Sequence, residues 1–133
     1  EQLKIAMPAL SNAMVIGDKR KFLSVLLCLQ VEVDDEMVPS NKLTGSSLDI
    51  ANEIGSAAKT TEEARECPRF KVYFGDGLKK ANAAATPRAQ HLAKWYLLST
   101  NFSEKGGELT PTLKLKRSVT ADKYADIIEK MYA

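Results

Sequence analysis

The residues best placed to do chemistry lie in one stretch, Gly106-Gly107-Glu108-Leu109-Thr110-Pro111-Thr112-Leu113-Lys114-Leu115-Lys116-Arg117. Glycines and a proline mark an exposed loop. Lys114, Lys116 and Arg117 follow among leucines, and on an extended backbone alternation turns at least one of Lys114 and Lys116 away from the core. Such a cation can meet an anionic substrate or partner; read structurally, the same lysines keep an exposed edge strand from pairing with another chain. His91 is the single histidine. With no Asp or Ser close in sequence to activate it, a structural or surface place is the better reading. Gly75-Asp76-Gly77-Leu78-Lys79-Lys80 lacks the full glycine spacing of a phosphate-binding loop and lies inside a helical pattern rather than after a strand. Cys28 and Cys67 share no CxxC or Cys/His spacing, so they read as free thiols in a reducing compartment, with no metal site.

These residues need a scaffold. With 133 residues, 44% of them apolar, the chain can bury a core as one domain. Nineteen basic and 17 acidic residues are scattered along it, leaving no basic stripe of the kind nucleic-acid binding needs. An RNA surface built from Lys114, Lys116, Arg117, Trp95 and Tyr96 is therefore a poor candidate, and no nucleic-acid partner is expected. No run approaches the roughly 20 apolar residues of a membrane span, and Glu1-Gln2-Leu3-Lys4 is unlike a signal peptide. A cytoplasmic chain without a transmembrane segment is expected. Glu1 to Ala6 reads as the middle of a helix with neither a cap nor an initiating Met before it, as in a piece cut from something larger.

Leu3, Ile5, Ala6 and Met7 predict a short helix ended by Pro8. Strands follow at Ser11 to Ile16 and Phe22 to Val33, around a turn at Gly17-Asp18-Lys19-Arg20. The nearly unbroken apolar run of the second predicts burial on both faces. The polar segment from Asp34 to Leu43, with Pro39, Ser40 and Asn41, predicts a surface loop. One helix, capped by Ser46 or Ser47, runs to about Ser56, and a shorter one opens on the capping-box spacing of Thr60-Thr61-Glu62-Glu63. A third starts at Pro68 and reaches about Ala85, although Gly75 and Gly77 weaken it. After Thr86-Pro87, aromatic and apolar residues from Ala93 to Phe102 predict a strand. A turn at Glu104-Lys105-Gly106-Gly107 and a last helix from near Thr120 to Tyr132 complete an α+β chain, a small mostly antiparallel sheet flanked by helices.

The stretch Thr110-Pro111-Thr112-Leu113-Lys114-Leu115-Lys116-Arg117, followed by a terminal helix near Thr120, resembles the closing motif of long-chain acyl-CoA synthetases, members of the adenylate-forming ligase superfamily. Ser11-Asn12-Ala13-Met14-Val15-Ile16-Gly17-Asp18-Lys19-Arg20-Lys21-Phe22-Leu23 agrees. So does Ala89-Gln90-His91-Leu92-Ala93-Lys94-Trp95, running into Phe102-Ser103 and Gly106-Gly107-Glu108-Leu109. Together these blocks are most similar to the bubblegum type of that family, and they cover nearly the whole chain in order.

The resemblance implies a single C-terminal lid domain over residues 1–133, a fragment of an ATP-dependent, AMP-forming long-chain fatty acid–CoA ligase and inactive in isolation. The hinge and the N-terminal adenylation domain would lie upstream in the same polypeptide. It puts the family's catalytic lysine at Lys114, and Gly107, Thr110, Pro111, Thr112, Lys116 and Arg117 in the loop that contacts substrate or nucleotide. Relatives outside the long-chain group carry Ser-Gly before that lysine, where this chain has Thr112-Leu113. ATP, Mg2+ and coenzyme A would serve the full-length enzyme, with fatty acid, ATP and CoA as substrates and none of them expected on this chain alone. Any membrane contact would be peripheral and made through the upstream domain. The rival reading is a stand-alone binding module that docks an acidic partner through residues 105–117.

Overall fold

The computed structural model describes residues 2–17, 20, 22–84 and 91–132. The middle of the Gly17–Arg20 turn, the Thr86-Pro87 break and the Ala89-Gln90 part of the family block lie outside them.

A short helix α1 (Gln2–Ala6) stops before Pro8 and leads into strand β1 (Leu10–Ile16). β1 pairs antiparallel with β2 (Leu23–Leu29), Ile16 opposite Ser24 and Leu10 opposite Leu29. After Gln30 the chain continues into β3 (Val31–Val33), which pairs antiparallel with β4 (Pro39–Leu43) in a second, two-stranded sheet. The expected 22–33 strand is thus two strands, and half of the expected 34–43 loop is a strand. A ladder is made by the main chain, so polar side chains do not forbid it, and Pro39 sits at the first residue, where a missing N–H costs least. At the turn between them, the Asp34 carboxylate accepts the N–H groups of Glu36 and Val38 at 2.8 and 2.9 Å.

Three helices follow. The first free N–H of α2 (Ser46–Glu53) is accepted not by a serine hydroxyl, as expected, but by the Gln30 side chain, whose Oε1 lies 2.9 Å from Ser46 N. α3 (Thr61–Glu66) opens as its spacing predicts: Thr60 Oγ1 accepts the N–H of Glu63 at 3.2 Å, while Glu63 Oε1 reaches back to the N–H of Lys59 at 2.7 Å. α4 (Pro68–Ala84) carries through both glycines, and Met7 of the α1 exit packs where a Cβ on Gly77 would stand. β5 (Leu92–Leu97) then lies along the free side of β2 and parallel to it, Leu23 beside Leu92 and Leu27 beside Leu97. That parallel pairing, like the separate β3–β4 sheet, is an element of sheet topology that the hairpin pattern could not supply.

β2 is therefore the centre of the order β1-β2-β5, and its alternation serves two cores. Val25, Leu27 and Leu29 join Met7, Phe70, Phe74 and Leu97 under α4, where Phe74 lies 4.8 Å from the Trp95 ring. Leu26 and Cys28 join Met14, Leu98, Phe102, Leu109, Ile128 and Met131 on the opposite face. The second core is closed by the C-terminal segment. The expected last helix is two, α5 (Arg117–Lys123) and α6 (Ala125–Tyr132), broken at Tyr124. Tyr132 closes the end: its hydroxyl lies 2.7 Å from the Phe22 carbonyl and accepts the buried Ser24 hydroxyl at 3.0 Å. Among the described residues no helix is long and apolar enough to cross a membrane.

Candidate functional site

The stretch from Glu108 to Lys116 is not an edge strand. Leu109 and Leu115 make one isolated antiparallel bridge, and the segment between them folds back on itself. Thr110 and Pro111 start the turn: the N–H of Leu113 donates to the Thr110 carbonyl at 2.8 Å, with Pro111 at the second position, where its fixed φ fits. Thr110 N–H then donates to the Lys114 carbonyl at 2.8 Å, and the N–H of Lys114 to Thr110 Oγ1 at 3.0 Å. Thr112 Oγ1 lies 3.0 Å from the same hydroxyl. This is a three-residue hairpin, a tight turn followed by one left-handed residue. Leu113 is that residue, with φ of 65°. Leu113 thus carries a side chain in a backbone region that favours glycine.

The consequence for Lys114 is a main chain held by hydrogen bonds on both sides and a side chain in solvent. Among the described residues the ion pairs are Arg20–Glu129 and Lys123–Glu108, so the Lys114 ammonium has none. Lys116 donates its N–H to the Glu108 carbonyl at 2.7 Å and occupies the cap position of α5. Arg117, the first residue of that helix, donates from its guanidinium to the Val15 carbonyl of β1. Lys114 thus stands at the hairpin, Lys116 at the cap of α5 and Arg117 against the sheet. Gly107 takes φ of 88° in the turn that enters the hairpin, its N–H bonded to the Glu104 carbonyl at 3.0 Å.

Beneath the hairpin sits Glu108, a carboxylate only 1% exposed. Oε2 accepts Lys123 Nζ at 2.9 Å and the Tyr124 hydroxyl at 2.8 Å, and Oε1 accepts the N–H of Ser103 at 3.1 Å. Burial by itself would push this carboxyl's pKa up; the Lys123 ammonium, the Tyr124 hydroxyl and the Ser103 N–H outweigh it and hold it below the ordinary value. Burial and that carboxylate push the Tyr124 phenol up. Gly106 is required here, since a Cβ on it would stand 2.4 Å from Glu108 Oε1. Sequence reasoning missed Glu108. The available signal was an acid set between two glycines and Leu109, with Lys123-Tyr124 one helix further on.

A cleft of about 600 Å3 opens beside the hairpin, lined by Leu113 and Leu109 on one side and by Val33, Met37 and Lys4 on the other. Met37 has the same left-handed φ of 65° as Leu113, and both side chains are about two-thirds exposed at 67% and 69%. A second cleft of about 530 Å3 lies against α4, bounded by Arg69, Tyr73 and Lys80, away from every residue of the hairpin. His91 is exposed at the start of β5. Cys28 is buried in the second core, where desolvation raises its thiol pKa to about 12, and Cys67 is partly exposed.

No family model matches the chain. It is 42% identical over 135 aligned residues to the long-chain-fatty-acid–CoA ligase ACSBG1 of Mus musculus, a match covering 99% of this chain and 19% of that protein. The Homo sapiens ligase of the same name is 41% identical over the same shares. The long-chain-fatty-acid–CoA ligase ACSBG2 of Gallus gallus is 39% identical over 100% of this chain and 18% of its own length. Among solved structures, the adenylation domain of a carboxylate reductase from Mycobacterium chelonae superposes with a TM-score of 0.63 at 17% identity, covering 98% of this chain and 17% of that one. That likeness shows the fold. The chain spans about a fifth of the length of the curated relatives it matches, and over nearly its whole length it is homologous to that part of the long-chain-fatty-acid–CoA ligases.

Proposed function

We propose that the chain works as the C-terminal lid domain of an ATP-dependent long-chain fatty acid–CoA ligase, bringing Lys114 to a reaction centre held by an N-terminal adenylation domain of the same polypeptide. The observation that carries this is the Lys114 ammonium, unpaired among the described residues at the tip of a hairpin whose main chain is fixed. Forming an acyl-adenylate brings an anionic carboxylate to an anionic α-phosphate. A fixed cation between them relieves the repulsion and stabilises charge that develops on phosphorus. At about 4 Å and an effective dielectric near 20, that contact is on the order of 4 kcal/mol, roughly three powers of ten in rate if it exists only in the transition state.

Gly107, Thr110, Pro111 and Thr112 shape the loop, and Lys116 and Arg117 anchor it or meet phosphate. ATP, fatty acid and CoA bind chiefly to the larger domain. Mg2+ would enter with ATP. A domain that moves between half-reactions can deliver the lysine for adenylation and withdraw it when the CoA thiol attacks.

Lys114→Ala in the full-length ligase is expected to lower fatty-acid-dependent pyrophosphate exchange by roughly 100- to 1000-fold, while conversion of preformed acyl-adenylate to thioester changes less than about threefold. Equal loss in both half-reactions would contradict the role.

A further inference from the structure

Glu108 touches both ends of the machinery that presents Lys114. Its main-chain carbonyl accepts Lys116 N–H at 2.7 Å. The Lys116 carbonyl in turn accepts the N–H of Thr120 at 3.0 Å and its hydroxyl at 2.8 Å, which fixes the start of α5. Its carboxylate takes Lys123 and Tyr124, the last residue of α5 and the one after it. The same Lys123 ammonium lies 3.0 Å from the Gly106 carbonyl, so the turn before the hairpin is drawn onto the end of the helix after it. One residue therefore sets the register between hairpin and α5, and it does so from a position 1% exposed and out of reach of any substrate.

We propose that Glu108 is the positioning residue of the Lys114 hairpin: its buried carboxylate, gripped by Lys123 and Tyr124, fixes where the Lys114 ammonium stands when the lid closes. The inference rests on the adenylation role given to Lys114. A buried charge held by charge-assisted hydrogen bonds is stiffer than an apolar contact of the same size, because rotation away from the bonds leaves the charge unpaired. Displacement of a reacting group by about 1 Å can cost on the order of 100-fold in rate, so the clamp matters to catalysis without touching the substrate.

The test crosses Glu108→Gln with Lys114→Ala in the full-length ligase, reading pyrophosphate exchange and thioester formation from preformed adenylate. Glu108→Gln alone is expected to lower kcat for adenylation by roughly 10- to 100-fold, with KM for ATP and fatty acid within about twofold of the native enzyme and thioester formation kept. In the Lys114→Ala background the same substitution is expected to cost less than about twofold, since its effect passes through Lys114. Tyr124→Phe removes one of the hydrogen bonds and keeps the ring beside Phe102. It is expected to cost about fivefold in adenylation with the same dependence on Lys114, and it carries the test if Glu108→Gln does not fold. If Lys114→Ala lowers adenylation but the Glu108 and Tyr124 variants lose as much in its background as without it, their role is general stability and the inference is overturned while the function of Lys114 stands. If Lys114→Ala itself leaves adenylation intact, both fall.

Discussion

Leu113 adopts a left-handed backbone that costs an L-residue roughly 1–2 kcal/mol. Its side chain is 69% exposed, so little burial offsets that cost within this chain. Glycine would relieve the strain, whereas a β-branched residue in the same conformation would crowd its own main chain. Leu113→Gly is accordingly expected to keep adenylation within about threefold, and Leu113→Val to lower it by roughly tenfold with the thermal transition of the rest of the domain moving by less than about 4 °C. Pyrophosphate exchange beside calorimetry decides it; a Val variant as active as the Gly variant would mean that the hairpin is not held left-handed at residue 113. At this scale the sequence made an exposed cation at Lys114 or Lys116 legible, because cations alternating with leucine follow a Gly- and Pro-rich loop, while the choice of Lys114 came from the resemblance to the ligase motif. It left Glu108 hidden, because an acid in a turn reads as solvated unless the partners that bury it, here Lys123 and Tyr124, are known to fold back on it.

The two glycines of α4 make opposite use of one residue type. A Cβ on Gly75 would meet nothing within 4 Å, while one on Gly77 would stand 2.2 Å from Met7 Cγ in a fully buried contact between α1 and α4. Gly75→Ala should then raise stability by about 0.5–1 kcal/mol through helix propensity alone. Gly77→Ala should lower it by about 1–3 kcal/mol, since the overpacked Met7 cannot move into solvent. Urea unfolding of the two variants is the measurement, and a destabilised Gly75→Ala would show that face of α4 to be covered. Elements with strong local signals were legible: the β1–β2 hairpin in the nearly unbroken apolar run of its second strand, α3 in its cap, and α4 in the recurrence of Phe70, Phe74, Leu78 and Ala81. Those decided by partners were not. β4 is polar and exists because β3 offers it a ladder, the serine expected to cap α2 is replaced by Gln30 from the junction of β2 and β3, and the break between α5 and α6 falls at Tyr124, whose hydroxyl bonds the distant Glu108.

For the molecule as a whole, Glu108 couples stability to acid. Its folded pKa lies below its unfolded one, so the stability it contributes is present above the unfolded value, about 4.3, and is lost as pH falls through the lower folded value. The difference in unfolding free energy between the native chain and Glu108→Gln is expected to stay flat from pH 7 to about 5 and to shrink in more acid solution. Denaturant titrations at a series of pH values test this, and a difference independent of pH down to about 3 would show that the carboxylate gains nothing from Lys123 and Tyr124. The α+β class and the two-faced burial of β2 could be read from composition and pattern, but the parallel neighbour of β2 could not, because nothing local in either strand names the other. That neighbour has a consequence for how the protein is made. β2 meets β5 across a sequence separation of about 70 residues, so during synthesis its second edge stays open until those residues have followed it out of the ribosome. A largely apolar central strand with one edge unpaired over that interval is a site for chaperone capture and for mispairing with a neighbouring nascent chain.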